Sequence, residues 1–306
     1  MANYTSVMNV SETQHLGYSN INAYPETIVI INCGLNAPLM LISITANSLV
    51  LAVVFRTPSL RSPSTIFLCS LAVSDLLVGL VVQPLYISFK LKAGDSLKQA
   101  YNMLALPFCG VSLGTMTAIS VDRFLDLHFH MRYLDLMTEK RSLYATVTIW
   151  SFFLLLSCIY MGGPNVFFLT IVVLIVICLF LSIFSYVSIY RIVRQHRIQI
   201  HAQQQAVQQS FNTEYNLNTV RSKKSAINAF IYYICMILCY FPLLITSLTR
   251  GILPIQDIDR GVDFATTVTF MNSSINPFLY CWRNRKLRKA IFKTLRNILF
   301  KQTEGN

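Results

Sequence analysis

Charge is scarce in this chain: 12% of its 306 residues are charged, and 54% are hydrophobic. That is about half the charge usual in a soluble domain. The balance excludes an ordinary water-soluble globular protein and indicates a membrane protein. Acids are scarcer than bases, 13 against 25, for a formal net charge of +12. Nucleic-acid binding is one use of such an excess, but a chain this apolar would have to present it from a bilayer, and that reading is set aside. The first 25 residues lack the basic start and apolar core of a cleavable signal peptide. A disulfide framework is lacking too. Of eight cysteines, Cys69, Cys109, Cys158, Cys178, Cys235, Cys239 and Cys281 lie in or beside apolar runs, and Cys33 sits near the start of the first. There Cys serves as a small packing residue. Cys235 and Cys239, one helical turn apart, have no His partner for zinc. No nucleophile, metal cluster or phosphate loop is recognisable, and the five His are scattered, so no enzyme is expected.

What the chain does have is seven apolar runs. The first lies between Glu26 and Arg56, where no charge occurs, enough for a span of about 20 residues. The second runs from about Ser64 to Phe89, the third from Gln99 to Leu125, and the fourth from Leu143 to Tyr160. After the short link Met161–Asn165 the fifth ends near Tyr190. The sixth covers about Ser225 to Leu248, with Pro242 inside it. A loop carrying Asp257, Asp259, Arg260 and Asp263 leads to the seventh, Phe264 to Trp282. The expected fold is therefore an all-α seven-transmembrane helix bundle. It comprises a tail over 1–27, the bundle over 28–282 with a mobile, Gln-rich loop at about 195–222, and a tail over 300–306. Between bundle and tail, residues 283–299 place Leu287, Ile291, Leu295 and Ile298 at helical spacing among basic residues, the pattern of an amphipathic helix on an anionic leaflet.

Seven spans put the two ends on opposite sides. Only five Lys and Arg (Lys90, Lys92, Lys98, Arg250 and Arg260) fall in the loops on the N-terminal side, against twenty on the other. The positive-inside rule makes the C-terminus cytoplasmic. Two glycosylation sequons, at Asn3 and Asn9, independently place the N-terminus outside. Halves of the chain show no internal repeat, which weakens a transporter reading.

Polar groups inside the runs carry the functional reading. The third span reaches Asp122 and Arg123 without meeting a charge after Lys98. Such a pair at the edge of lipid is either a snorkelling Arg with a neighbouring acid or a working pair in a water-lined cavity. Asp75 is alone near the middle of the second span, and a lone carboxylate there needs a cation or a proton. Asn47, Trp150, Pro242 and the run Asn272-Ser-Ser-Ile-Asn-Pro-Phe-Leu-Tyr280 complete the set. Taken singly, each has a structural reading as interhelical glue, a kink or a packing residue.

Taken in order, they resemble the rhodopsin-like (class A) G protein-coupled receptors, at one signature position in every span. The matches are Asn47, Leu71-Ala-Val-Ser-Asp75, Asp122-Arg-Phe124, Trp150, Tyr186, Cys239-Tyr-Phe-Pro242 and Asn276-Pro-Phe-Leu-Tyr280, over roughly Ile28 to Leu299. The resemblance implies a plasma-membrane receptor that passes an extracellular small-molecule, lipid or peptide signal to a heterotrimeric G protein. In such a receptor Arg123, held by Asp122 at rest, is freed when the sixth helix swings out at Pro242. Tyr186 and Tyr280 would settle near it, and Tyr240, Asn276 and Pro277 belong to the same switch. Asp75, Ser112, Asn272, Ser273 and Asn276 match the family's mid-membrane sodium pocket, which implies sodium as an allosteric ligand and no other cofactor.

Departures from the family pattern are several. Lys98 stands where the third helix usually carries a disulfide Cys, and the Met161–Asn165 link has none. Cys178 replaces a customary fifth-helix Pro, Tyr240 a Trp, Met236 a Phe, and Ser222 an acid that latches the arginine. The short loop, missing disulfide and absent Pro are similar to the melanocortin receptors and their adenosine, cannabinoid and lysolipid relatives. Without the latch acid and the Trp, elevated basal activity is expected. Ala105 stands where monoamine receptors have an Asp, and Phe270 where visual pigments have the retinal Lys. The expected ligand cavity comprises Tyr86, Phe89, Ala105, Leu106, Cys109 and Thr170, together with Leu243, Leu244, Ser247, Thr266 and Phe270. Its apolar make-up suits neutral or lipid-like ligands. Two rivals stay open: a receptor-like protein that does not signal, serving as dimer partner or ligand sink, and an ion transporter built on Asp75.

Overall fold

Glu26 opens the first helix with an acid and Arg56 closes it with a base, the arrangement a helix dipole favours. The computed structural model describes residues 26–60, 62–92, 94–129, 132–158, 163–206, 231, 233–249 and 255–301. Among them every regular element is helical. In chain order these are α1 Glu26–Arg56, α2 Pro63–Lys92, α3 Asp95–Phe129, the short α4 Tyr133–Leu136 and α5 Glu139–Leu156. They continue with α6 Pro164–Ala206, α7 Tyr233–Leu248, α8 Ile255–Arg283 and α9 Arg285–Lys301. Pro63 starts α2 at a position whose N–H would have no helical partner anyway. Pro84 has the opposite effect: its ring excludes the carbonyl one turn back, and α2 widens into a π turn over Val78–Val82 just before it. Asn284 separates α8 from α9 and caps α9, its Oδ1 accepting the Lys286 and Leu287 amides at 3.0 and 3.2 Å.

The seven long helices form one bundle, with α4 and α9 at its Arg123 end. α3 runs through the middle, against α2, α5 and α6. α1 packs on α2 and α8, and α9 lies on α1 and α8 through Leu287 and Ile291. α7 is tied in by the Tyr240 hydroxyl to the Cys109 carbonyl of α3, 3.3 Å, and by Thr269 of α8 to the Cys239 carbonyl, 3.2 Å. Glycine decides one close approach: a Cβ on Gly110 would lie 2.2 Å from the Phe153 ring, so α5 sits against a bare stretch of α3. Helices α1, α2, α3 and Val166–Gln195 of α6 are long and apolar enough to cross a membrane by themselves. The others join them by packing.

Helix ends differ from the apolar runs. α3 begins at Asp95, and α8 begins at Ile255, so Asp257, Asp259, Arg260 and Asp263 lie within a helix rather than a loop. Hydropathy marks where lipid stops, and acids in first turns are favoured by the helix dipole, so the helices run on beyond the apolar layer. α5 ends at Leu156, short of Tyr160, while α6 continues to Ala206. Asn3 and Asn9, the rest of the 195–222 loop from residue 207, the first residues of the sixth span and the tail from residue 302 lie outside the described residues.

Candidate functional site

Three groups of residues come together along the bundle. At the Arg123 end of the bundle, Asp122 is buried and saturated. Its carboxylate accepts from Arg123 Nη2 at 2.7 Å, the Tyr133 hydroxyl at 2.7 Å and the Ser64 hydroxyl at 2.8 Å. Arg123 also donates to the Ser64 hydroxyl and reaches Asp126, one turn along, at 3.4 Å. Neighbours in sequence do not face each other on a helix; the pairing uses the length of the Arg side chain. Tyr133 and Ser64 were not legible as partners, because they arrive from α4 and α2. Arg141 holds α4 in place by donating to the carbonyls of Asp135 and Leu136 at 3.1 and 2.8 Å. Burial pushes the Tyr133 phenol up to about 12, so it stays a donor to Asp122 throughout the physiological range. Tyr186 stacks on Tyr233 of α7, centroids 5.8 Å apart, and Tyr280 is fully buried in the core. Pro242 and Pro277 lie within α7 and α8, and the Pro242 carbonyl accepts from Thr246 at 3.0 Å.

Deeper, Asp75 is wholly buried on α2. Ser112 of α3 and Asn276 of α8 each donate to its carboxylate at 2.8 Å, and Ser273 stands beside it. Asn47 braces the site from α1, donating to the Ser273 carbonyl at 3.1 Å, while Ser43 donates to the Asp75 carbonyl at 2.8 Å. Asn272 departs from the expected pocket in one respect: its amide nitrogen donates to the Met116 sulfur at 3.4 Å instead of serving Asp75. The side-chain oxygens of Asn272 and Asn276 are buried and have no donor. Carboxylate, hydroxyl and unused amide oxygens are the donor set of a hard cation, so these residues fit a sodium ion. Trp150 is anchored by its indole N–H to Ser70, 3.0 Å.

Toward the other end lies a cavity of about 750 Å³, its mouth included. Ala105, Leu106, Cys109, Leu243, Thr266 and Phe270 line it as expected. Five expected residues do not. Thr170 turns outward and bonds the Val166 carbonyl, and Leu244 is packed in the core. Tyr86 and Phe89 stand behind the wall, against Tyr101, and Ser247 is buried elsewhere. Instead the cavity extends toward α5 and α6, where Phe153, Phe167, Phe168, Ile171 and Ile175 line it, with Tyr240 among the remaining lining residues. Phe153 reaches the cavity through the close approach at Gly110, which single-span periodicity does not reveal. No acid is among the described lining residues. At the rim, Lys90 pairs with Asp263 at 2.6 Å, and Tyr86 donates to the same carboxylate at 3.2 Å.

The sequence is similar to known proteins in two ways. Residues 46–167 match the family model of the 7 transmembrane receptor (rhodopsin family). A histamine H2 receptor from Rattus norvegicus is 28% identical over 270 residues, covering 82% of this chain and 75% of the relative.

Proposed function

We propose that this chain, whose residues 46–167 match the rhodopsin family of seven-transmembrane receptors, is a receptor of that family, with an extracellular ligand and a G protein as partners, and acts as a switch at the plasma membrane. Its N-terminus lies outside and its C-terminus in the cytoplasm. Ligand binding at the cavity favours a state in which α7 moves outward and a heterotrimeric G protein meets Arg123 by population shift. The observation that carries this is the latch at Asp122. Arg123 is partly exposed at the cytoplasmic end, yet held by Asp122, Asp126 and Ser64. Freeing it requires only that these polar contacts exchange, not that a packed core be broken. Ser64 and Asp126 hold the arginine without the acid that Ser222 replaces.

Sodium is the proposed allosteric ligand at Asp75. There the ion would supply the positive charge that the carboxylate lacks. Ser112 and Asn276 orient that carboxylate, and it would favour the closed state by bridging α2, α3 and α8. The activating ligand is read as neutral and largely apolar. Histamine names the rat relative, but here Ala105 lines the cavity and no acid is among its described lining residues to hold an amine.

The test is G protein activation in cells without ligand, with wild type beside Arg123→Ala at matched surface expression. Signal above mock that is lost in Arg123→Ala is the expected result. Silence from wild type across all G protein families, persisting through a screen of neutral and lipid ligands, would favour the non-signalling reading.

A further inference from the structure

The face of α1 turned into the bundle is polar. Asn32, Asn36, Ser43 and Asn47 are all buried on it. Ser43 and Asn47 serve the Asp75 region, whereas Asn32 and Asn36 lie further out and meet Thr267 of α8. Asn36 is 0% exposed, and its amide nitrogen donates to the Asn32 carbonyl at 2.8 Å, to the Asn32 side-chain oxygen at 2.7 Å and to Thr267 at 2.9 Å. That sets its orientation, since a flipped amide would aim oxygen at a carbonyl that can only accept. Its Oδ1 is left without a donor.

The opposite helix carries a matching deficit. Gln83 is 0% exposed, and neither its Nε2 nor its Oε1 has a partner. The helices are antiparallel, and a Cβ on Gly79 would touch the Met40 carbonyl at 3.3 Å and Ser43 at 3.2 Å. Counting outward from there, across the π turn on α2, Gln83 comes to about the height of Asn36 on α1. The π turn at Val78–Val82, immediately before, sets the angle at which Gln83 enters the bundle. One layer thus holds a buried donor and two buried acceptors, all unmade. Buried amides in native proteins are almost always satisfied, by protein or by ordered water.

We infer that α1, α2 and α8 enclose an internal hydration site, in which water is held between Gln83 and Asn36. Water fits because it both donates and accepts: it gives a proton to Asn36 Oδ1 and to Gln83 Oε1 and takes one from Gln83 Nε2. A cation does not fit. The layer has no formal charge, and the nearest acid outward, Asp263, is already paired with Lys90. The ligand cavity does not supply the occupant either, because Tyr86 stands edge-on to Phe270, centroids 5.6 Å apart, between them. Tyr86, Asp263 and Lys90 roof the site against bulk solvent. The bound water ties α1 to α2 just beneath the cavity wall, and the Asn36–Thr267 hydrogen bond carries the tie to α8. This inference rests on packing alone and survives whether or not the chain signals.

Two measurements on the full chain in lipid nanodiscs test it. Radiolytic labelling in ¹⁸O water marks side chains beside bound water. Tyr86, 1% exposed and one turn from Gln83, is expected to be labelled in wild type and unlabelled in the Asn36→Leu, Gln83→Leu double variant. In thermal melts each single variant should lose several degrees, and the double variant less than the sum. Additive losses would mean two independent amides and overturn the site. Coupled losses with Tyr86 unlabelled in wild type would mean a direct amide contact without water, and overturn it equally. Should a Leu variant fail to fold, Gln83→Met and Asn36→Ser run the same cycle, and the wild-type label stands alone as a test.

Discussion

At the residue scale, one carboxylate organises the Arg123 end of the bundle. Asp122 accepts three hydrogen bonds from Arg123, Tyr133 and Ser64, so each donor contributes to keeping the arginine closed. A hydrogen bond to a charged group is worth about 1.5–3 kcal/mol, and 1.4 kcal/mol is a factor of about ten. Tyr133→Phe removes one such bond with little change of volume. Ligand-free second-messenger output should rise, by roughly tenfold or more while the basal active fraction is small, and an unchanged basal level at matched expression would count against the latch. Asp75 gives a second prediction. Sodium chloride, compared with choline chloride, should raise the melting temperature of wild type and leave Asp75→Asn unmoved. Equal shifts in both proteins would argue that the ion acts elsewhere.

At the scale of helices, packing of α5 against α3 depends on the absence of a side chain. Gly110→Val would drive its side chain into Phe153, whose ring lies 2.2 Å from where the Cβ would stand. Overpacking of this kind costs about 1–3 kcal/mol. Gly34, on the lipid-facing side of α1, has nothing within 4 Å of its own Cβ position. Gly34→Ala should therefore be tolerated, while Gly110→Val lowers the melting temperature by several degrees. Comparable melts for the two variants would refute the close approach. α9 makes the complementary case, where a pattern suffices: Leu287 and Ile291 are buried, while Arg285, Lys286, Lys289 and Lys293 face out.

For the whole molecule, stability comes from packing and buried hydrogen bonds without covalent staples. All eight cysteines are free. A reducing agent should then leave the melting temperature and surface expression unchanged, whereas a drop of several degrees would reveal a disulfide. The same integration explains why some helices need the others. α8 carries Asp263, Asn272 and Asn276 inward, and a helix so furnished enters a membrane only against partners that satisfy them, here Lys90, Met116 and Asp75.

Composition alone determined that this is a membrane-spanning helical protein, because a chain with so little charge must bury its apolar runs in lipid. Order along the chain determined the family likeness, since Asn47, Asp75, Arg123, Trp150 and Asn276-Pro277 each sit in a separate run. The meeting of Asp75 with Ser112 and Asn276 could be anticipated only through that likeness. Tertiary structure decided the rest. It placed Tyr133 and Ser64 on Asp122, turned Asn272 to Met116, drew the cavity toward Phe153 and Phe167, and brought Gly79 of α2 against Met40 and Ser43 of α1. Helical periodicity reports which face of a helix is buried. Which neighbour fills that face depends on rotations and heights between helices far apart in sequence, and those are settled by close packing and by the need to satisfy every buried polar atom.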